Sequence, residues 1–266
     1  MSVDLTDSGD GYLTVPLIDR RTVKNLRRVF RRLQLPKDHG FHATSANGTR
    51  ESARASDQLL KAELAEQLRS ILPSSSAFLA AFISKGVSQS VTVDFHQDWT
   101  YTDERTDRAV LVWVPLVDVT AANGAMRVVP GSHRWTSGLR ASGTPLATAR
   151  HQHWFASRSV PVEIEAGTAL VYDAALVHGS SPNLSSKARP AVAVALAPER
   201  AQLVHFHVDN AQEMTGWAID EAHFTTRPFA SRPEHCRALE PWAALVDEKD
   251  FLRDADARMS TPSTNC

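Results

Sequence analysis

The chain has 266 residues, of which 42% are hydrophobic and 22% charged, and its formal net charge is −1. These values are typical of an ordinary globular protein, and we expect residues 1–266 to form a single domain with a sizeable core. The small net charge excludes a general attraction to nucleic acid or anionic membranes, and two cysteines exclude a disulfide framework.

The first residues are polar and acidic, without the basic and apolar regions of a signal peptide. No apolar run approaches the roughly 18 residues that a bilayer-spanning helix needs. We therefore expect a cytoplasmic protein whose partner is a small-molecule substrate, rather than a nucleic acid or a membrane.

Two amphipathic helices are predicted within residues 20–72. In the first, apolar residues recur at three- and four-residue steps over 23–33, opposite a run of arginines. That basic face is typical of a solvated helix surface, and a phosphate-bearing substrate is the alternative partner. The second helix has its apolar positions over 60–72 and ends at Pro73. The polar stretch 36–55 is interpreted as a loop.

From residue 77 the pattern changes to short apolar segments separated by turn signals. About eight strands with little helix between them favour a mainly β fold, a double-stranded β barrel or jelly roll, over about 77–208. The predicted strands are 77–84, 90–95, 109–118, 125–129, 161–164, 169–173, 191–196 and 202–208. The segment 133–160 is too long for a hairpin and too polar for the core, so we interpret it as a lid loop. Residues 209–266 are expected to form an irregular, partly helical cover.

A His-x-Asp motif, His96 and Asp98, ends the second predicted strand. Side chains two residues apart on a strand point to the same face, so both can reach one metal. The same alternation puts Thr92 and Asp94 on that face. His178 follows a distant apolar run and supplies a third candidate ligand. Two imidazoles and a carboxylate are typical of a non-haem iron(II) site, whose remaining positions are open to a co-substrate and dioxygen.

Arg189 indicates what binds beside the metal. It precedes a proline, which favours an extended backbone, and it shares its strand face with Ala191, Ala193 and Ala195. Small side chains on that face leave room for a ligand, and a guanidinium binds a carboxylate through two hydrogen bonds. We therefore predict a carboxylate-bearing ligand beside Arg189.

Other histidines compete as metal ligands. His151 and His153 lie in the predicted lid loop and lack an ordered partner. His205 and His207 lie on a late strand, where they either add a ligand or pack in the core. His133, in a Pro-Gly-Ser-His sequence, is interpreted as stabilising a turn.

Four blocks of the sequence resemble the phytanoyl-CoA dioxygenase-like branch of the iron(II)/2-oxoglutarate oxygenases. They are His96-Gln-Asp-Trp, Trp113-Val-Pro-Leu-Val-Asp, Asn123-Gly-Ala-Met-Arg-Val-Val-Pro-Gly-Ser-His133 and His178-Gly-Ser-Ser-Pro-Asn, followed by Arg189. The resemblance covers roughly residues 90–197. The block from Asn123 to His133 is specific to this branch.

This resemblance implies a double-stranded β-helix core of the cupin-like jelly-roll type, with flanking helices. It implies that iron(II) is bound by His96, Asp98 and His178. It also implies that Arg189 holds the distal carboxylate of 2-oxoglutarate, the co-substrate that reacts together with dioxygen.

The same resemblance assigns three further residues to the co-substrate pocket. Trp113 occupies the family's tryptophan position and is expected to line the pocket. Ser180 shares the strand face of His178 and is expected to add a hydrogen bond. Lys85 lies where many relatives carry a lysine, and a solvent-facing side chain is the alternative.

The implied activity is oxidation of a small organic molecule, with release of succinate and carbon dioxide. Because related halogenases have a small residue in place of Asp98, its presence favours hydroxylation, although desaturation, epoxidation and ring closure use the same three ligands. A role in specialised metabolism is preferred. Two alternatives use the same barrel: a metal-dependent cupin-type enzyme without 2-oxoglutarate, and a non-catalytic small-molecule binder. Arg189 argues against the first, and the intact set of candidate ligands argues against the second.

Overall fold

The computed structural model describes residues 5, 8–33, 40–135, 138–144, 146–226, 232, 233 and 236–246. Its helices are α1 (Arg20–Arg32), α2 (Arg50–Ile71), α3 (Gln152–Arg158) and α4 (His223–Thr226). Its strands are β1 (Tyr12–Pro16), β2 (Phe41–Ala43), β3 (Ser75–Lys85), β4 (Val93–His96), β5 (Val110–Pro115), β6 (Met126–Val128), β7 (Val160–Val162), β8 (Thr168–Asp173), β9 (His178–Ser180), β10 (Arg189–Pro198), β11 (Val204–Val208), β12 (Met214–Ala218) and β13 (Arg237–Leu239).

Two antiparallel sheets form the centre of the fold. A six-stranded sheet has the order β1-β8-β5-β10-β3-β2, and a four-stranded sheet has the order β4-β9-β6-β7. Residues of both sheets pack in one core cluster, including Trp113 and Leu170 from the first and Met126 and Val162 from the second. This architecture confirms the predicted mainly β fold with a double-stranded β-helix core.

The six-stranded sheet is buried on both faces. Leu26 of α1 and Leu64 of α2 pack against one face, in a cluster that includes Val192 and Val194 of β10. Ala193, which lies between the two valines, packs in the other cluster, towards the four-stranded sheet. Alternation along β10 therefore turns its alanine face into the space between the sheets, as the sequence predicts.

The prediction of a loop over 36–55 is wrong for two elements. The strand β2 pairs with β3 at the edge of the larger sheet, and α2 begins after the N-cap Thr49. The first turns of α2 bury Ser56 and Asp57, with Ala53 as their single buried apolar residue. Asp57 accepts a hydrogen bond from the Ala80 N–H at 2.7 Å, which compensates its burial. Because most buried positions in this part of α2 are polar, no apolar periodicity in the sequence marks it as a helix.

The segment 133–160 covers the free edge of the four-stranded sheet and contains α3. Gln152 of this helix accepts a hydrogen bond from the Phe95 N–H at 2.6 Å and donates one to Phe95 O at 3.0 Å. An amide side chain thereby takes the place of the neighbouring strand that the edge strand β4 lacks.

Residues 209–266 are more regular than predicted in their described part. β12 and β13 extend β11 into a three-stranded antiparallel sheet, next to the short helix α4. Gly216 interrupts the strand signal of β12, and a Cβ at this position would lie 2.5 Å from the ring of Phe206. Positions 227–231, 234, 235 and 247–266 lie outside the described residues, and the single-domain organisation stays a prediction. Within the described segments, none of the helices combines the length and apolar content that a bilayer crossing requires.

Candidate metal centre

The three predicted metal ligands meet at one point between the two sheets. His96 ends β4, His178 begins β9, and they are directly opposite in the strand register, with ring centroids 4.3 Å apart. Asp98 follows two residues after His96, and its Oδ2 lies 3.9 Å from His178 Nε2. One ligand atom from each residue lies within 4.8 Å of the others. This spacing and donor set fit one metal ion bound on one face.

A β-bulge sets the direction of the His96 side chain. The register runs from Val93 opposite Ser180 to His96 opposite His178, so three steps along β4 face two along β9. Val93 and His96 consequently line the same cavity although they are three residues apart. The predicted alternation is therefore wrong upstream of His96, and Asp94 is exposed instead of facing the metal.

Backbone carbonyls orient both imidazoles. His96 Nδ1 lies 2.7 Å from Asp94 O, and His178 Nδ1 lies 3.0 Å from Leu176 O. A carbonyl can only accept a hydrogen bond, so each Nδ1 carries the proton and each Nε2 keeps a lone pair. Burial, reinforced by the neighbouring His96, lowers the pKa of His178 to about 4, so this ring is neutral at pH 7, as a metal ligand must be.

Asp98 supplies the negative charge of the group. Its N–H donates to Ala174 O at 3.0 Å, which holds the backbone, while its Oδ2 is buried and has no hydrogen-bond partner among the described residues. A buried carboxylate oxygen without a partner is costly. A cation at the focus of the three ligands would satisfy it.

Two buried cations face each other at the other end of the same space. Arg189 of β10 and Lys85 of β3 are directly opposite in the strand register, so both point to the inner face of the sheet. Their side chains are almost fully buried, with 3% and 1% of the residue surface exposed. Arg189 Nε and Nη1 have no hydrogen-bond partner among the described residues, and Lys85 Nζ donates to Ser180 Oγ at 2.6 Å.

Burial acts against both charges. It lowers the pKa of Arg189 to about 10, and burial together with the charge of Arg189 lowers the pKa of Lys85 to about 8. Like charges on opposed residues repel, and no carboxylate of the described residues forms an ion pair with either side chain. The arrangement fits an anion bound beside them.

Trp113 and Ser180 lie where the sequence predicts, next to these cations. The guanidinium carbon of Arg189 is 4.9 Å from the centre of the Trp113 ring, a cation–π contact that supports the charge from one side. Ser180 belongs to β9, two residues after His178, and lines the cavity with its hydroxyl bonded to Lys85. All seven predicted site residues are thus brought together between the sheets.

One cavity of about 240 Å³ joins the metal ligands to Arg189. Its walls include Ala81, Ala193 and Ala195, so the alanine row does leave space beside the arginine, as predicted. The described residues of 133–160 and 209–226 do not line it, and a lid role for 133–160 stays a prediction. The wall at the sheet edge comes instead from β2 and the residues after it, Phe41, Ala43, Ser45 and Ala46.

Two tyrosines, Tyr101 and Tyr172, line the cavity near Asp98 and were not predicted. Burial raises the pKa of both phenols, with a further contribution from the charge of Asp98, so both stay protonated. Tyr172 is opposite Leu111 in the six-stranded sheet, on the same inner face as Trp113. Its position follows from the strand pairing, whereas Tyr101 lies in an irregular segment without a periodic signal.

The competing histidines do not join the centre. Among the described residues, His96, Asp98 and His178 are the one group with metal-binding spacing. His205 and His207 both contact Ser142 Oγ, at 3.0 and 2.8 Å, and therefore belong to a packed hydrogen-bonded cluster.

Comparison with known sequences decides the family. The sequence profile of the phytanoyl-CoA dioxygenase (PhyH) family matches residues 10–191. The chain belongs to this family. The match includes all seven residues described above.

Relatives of this phytanoyl-CoA dioxygenase family member include fungal dioxygenases. Dioxygenase olcK of Penicillium canescens is 28% identical over 127 residues, which is 44% of this chain and 38% of olcK. Dioxygenase FUM3 of Gibberella moniliformis is 30% identical over 108 residues, 39% of this chain and 32% of FUM3. The chain therefore spans well under half the length of these two relatives.

Solved structures share the family fold. EvdO2 from Micromonospora carbonacea var. aurantiaca, in complex with 2-oxoglutarate, superposes with a TM-score of 0.55 at 18% identity, over 74% of this chain and 92% of EvdO2. This similarity supports the jelly-roll assignment independently of the sequence motifs.

Proposed function

We propose that this protein is a non-haem iron(II)- and 2-oxoglutarate-dependent dioxygenase that hydroxylates a small organic molecule. Iron(II) would be held by His96, Asp98 and His178. The co-substrate would be held by Arg189 and Lys85 at its distal carboxylate. Ser180 and Trp113 would position these two cations.

The observation that carries the proposal is the charge pattern of one cavity. At one end, the buried Asp98 Oδ2 has no hydrogen-bond partner among the described residues and lies beside two imidazoles, and at the other end Arg189 and Lys85 form no ion pair with a described carboxylate. A dicarboxylate next to a divalent metal satisfies both ends at once. A cupin-type enzyme that does not bind 2-oxoglutarate does not require the two buried cations.

Each group has a definable role. Nδ1–H contacts to backbone carbonyls keep Nε2 of His96 and His178 available to a metal. Arg189 offers two unpaired N–H groups to a carboxylate, and the hydrogen bond from Lys85 to Ser180 keeps the ammonium beside it. When bound, iron(II) with 2-oxoglutarate and dioxygen supplies the oxidant, and succinate and carbon dioxide are released.

The hydroxylation type is supported by Asp98, because this carboxylate occupies the position that related halogenases leave free for a halide. Neighbours of this fold also catalyse other reactions. SnoN, a non-haem epimerase solved with Fe3+, α-ketoglutarate and nogalamycin RO, has a TM-score of 0.54 at 22% identity, over 89% of this chain and 91% of SnoN. Such relatives support a substrate from specialised metabolism.

The metal-ligand end of the cavity favours an uncharged substrate. Leu79, Leu111 and Ala195 form one row of its wall, and Tyr101 and Tyr172 add phenol groups near Asp98. Apart from Asp98, this end contains no charged side chain among the described residues. We propose that a mainly hydrocarbon portion binds here, with an oxygen atom that accepts a hydrogen bond from a tyrosine.

The test is succinate formation by the purified protein with iron(II), dioxygen and 2-oxoglutarate, in the presence of uncharged polycyclic or acyl candidate substrates. Mass spectrometry of the organic product should show the addition of one oxygen atom. Substrate-dependent oxidation without succinate would support a cupin-type enzyme, and binding without any oxidation would support a non-catalytic binder.

A further inference from the structure

We propose that Arg140 is a positioning residue that holds Asp98 in the geometry a metal requires, and that Glu104 keeps Arg140 in place. The inference rests on the proposed metal site and adds to it two residues that contact neither metal nor co-substrate.

Asp98 needs such support because it lies outside regular structure. β4 ends at His96, so no strand pairing fixes the backbone two residues later. The Asp98 N–H donates to Ala174 O, and the side chain of Gln97 donates to Ala175 O. These bonds hold one side of the segment, while the carbonyl of Asp98 points away from them towards Arg140.

Arg140 holds the other side by three hydrogen bonds. Its Nε donates to Asp98 O at 2.7 Å, its N–H donates to Thr100 Oγ1 at 3.0 Å, and its carbonyl accepts from the Thr100 N–H at 3.1 Å. Arg140 thus contacts both ends of the segment 98–100, Asp98 through its side chain and Thr100 through its backbone. Because Asp98 Oδ2 has no hydrogen-bond partner among the described residues, the carboxylate depends on this backbone for its position.

Glu104 fixes the orientation of the Arg140 guanidinium. Arg140 Nη1 donates to Glu104 Oε2 at 2.8 Å, and Nη2 donates to Oε1, so the guanidinium is held in a two-pronged contact. The side chains of Arg140 and Glu104 are only 7% and 14% exposed. A buried ion pair contributes little net stability, because desolvation offsets the attraction. Its fixed fork geometry does determine the direction in which Nε points.

The residues around Arg140 are themselves anchored. Ser142 N–H donates to Phe206 O, and Val208 N–H donates to Ser142 O, both at 2.9 Å, which attaches this segment to β11. Arg140 therefore connects Asp98 to β11, a strand that carries none of the three residues of the metal centre. Groups that orient metal ligands in this way typically contribute about 10- to 100-fold to metal affinity.

The experiment measures Mn(II) binding by electron paramagnetic resonance of the free ion, without 2-oxoglutarate. The double variant Arg140→Met/Glu104→Gln removes both buried charges together, so no isolated charge remains. The control is Arg127→Met, since Arg127 donates to Ser159 Oγ and O and has no contact with the segment 98–100. Urea unfolding of each metal-free variant separates positioning from stability.

We expect Mn(II) affinity to fall about 10- to 100-fold in the double variant and to stay unchanged in Arg127→Met. Wild-type affinity in a folded double variant overturns the proposal. If the double variant does not fold, Arg140→Lys gives the same test, because an ammonium that pairs with Glu104 lacks the separate Nε–H donor to Asp98 O. Absence of Mn(II) binding by the wild type refutes the metal site itself, whereas equal binding by wild type and variant refutes the role of Arg140 alone.

Discussion

At the residue scale, the buried charges of Lys85 and Arg189 favour binding of an anionic ligand but lower the stability of the ligand-free fold. Lys85 is buried opposite a second cation, and its pKa falls from the ordinary value of 10.5 to about 8. A shift of this size corresponds to a cost on the order of 3 kcal/mol to the ligand-free fold at pH 7. The hydrogen bond from Lys85 to Ser180 offsets only about 1 kcal/mol of this cost.

We therefore predict that Lys85→Met stabilises the ligand-free protein at pH 7 while weakening 2-oxoglutarate binding. The lost charge-assisted contact should cost about 2 kcal/mol, or roughly 30-fold in affinity. Urea unfolding gives the stability, and calorimetric titration of the Mn(II)-loaded protein gives the affinity. Lys61→Met is the matched control, because Lys61 has carboxylate partners in Asp57 and Glu221, both at 2.9 Å, and its loss should destabilise.

The pH dependence of stability gives this prediction a second readout. Below about pH 8, Lys85 is charged in both states and the folded state carries the full cost. Between about 8 and 10.5 the unfolded chain keeps the proton that the folded one has released, so stability rises with pH in this window. The advantage of Lys85→Met should shrink from pH 7 to pH 9.5. An equal advantage at both values would contradict a charged, buried Lys85.

A second prediction at this scale compares two nearby aspartates. Asp98→Ala should abolish both Mn(II) binding and turnover, since it removes the single carboxylate of the ligand set. Asp94→Ala should change neither, because the bulge in β4 leaves Asp94 exposed, and the bond to His96 uses its backbone carbonyl. Metal titration and succinate release measure the two effects. Loss of binding in Asp94→Ala would place the ligands on the strictly alternating face instead.

At the scale of elements, β4 is an edge strand that nevertheless carries a candidate ligand. Edge strands leave backbone groups unpaired, and the neighbouring segment compensates with the side chain of Gln152. Thr148 adds a hydroxyl donor to Phe95 O. β4 is thereby held on both sides, by its pairing with β9 at Val93 and His96 and by Thr148 and Gln152 at Phe95.

Gln152→Met should lower the free energy of unfolding by about 2 kcal/mol, because the Phe95 N–H loses its acceptor in a partly buried position. Amide hydrogen exchange at Phe95 should accelerate more than exchange in β10, at the centre of the larger sheet. Gln202→Met is the control, since the exposed Gln202 donates to the carbonyls of Leu203 and Ile219 and not to β4. Unchanged exchange at Phe95 would mean that β9 alone secures the strand.

At the scale of the whole molecule, the cavity joins charges of opposite sign on the two facing sheets. The carboxylate side belongs to the four-stranded sheet and the loop after it, and the cations belong to the six-stranded sheet. Ligands that neutralise both ends should therefore fasten the two sheets together.

We predict that Mn(II) and 2-oxoglutarate each raise the melting temperature and do so most when added together. A ligand at about 100 times its Kd adds about 2.7 kcal/mol of stability. Arg189→Met should lose the 2-oxoglutarate increment and keep the Mn(II) increment, because the guanidinium lies at the far end of the cavity from the ligands. Thermal unfolding followed by fluorescence measures each increment, and no shift with either ligand would contradict the site.

Much of the fold follows from local patterns in the sequence. The apolar periods of α1, the second half of α2 and most strands of the two sheets are confirmed. Errors occur where a buried position is polar, as at Ser56 and Asp57, or where glycine interrupts a strand, as at Gly216. In both cases a tertiary contact compensates for a residue that disfavours the element by itself.

The candidate site was predictable for residues whose chemistry is distinctive. His96, Asp98, His178 and Arg189 stand out by type and spacing, and the structure brings them into one cavity. Arg140 and the two tyrosines have no such signal, because their positions depend on segments that are distant in sequence.

Residue types and short periods therefore establish the strands, the ligand set and the inward alanine face, since these depend on alternation within one segment. Only the tertiary structure decides the register between segments. It places Lys85 opposite Arg189, introduces the bulge before His96 and brings Arg140 to the carbonyl of Asp98. Register depends on hydrogen bonds and packing between distant parts of the chain, and no local pattern encodes which partners meet.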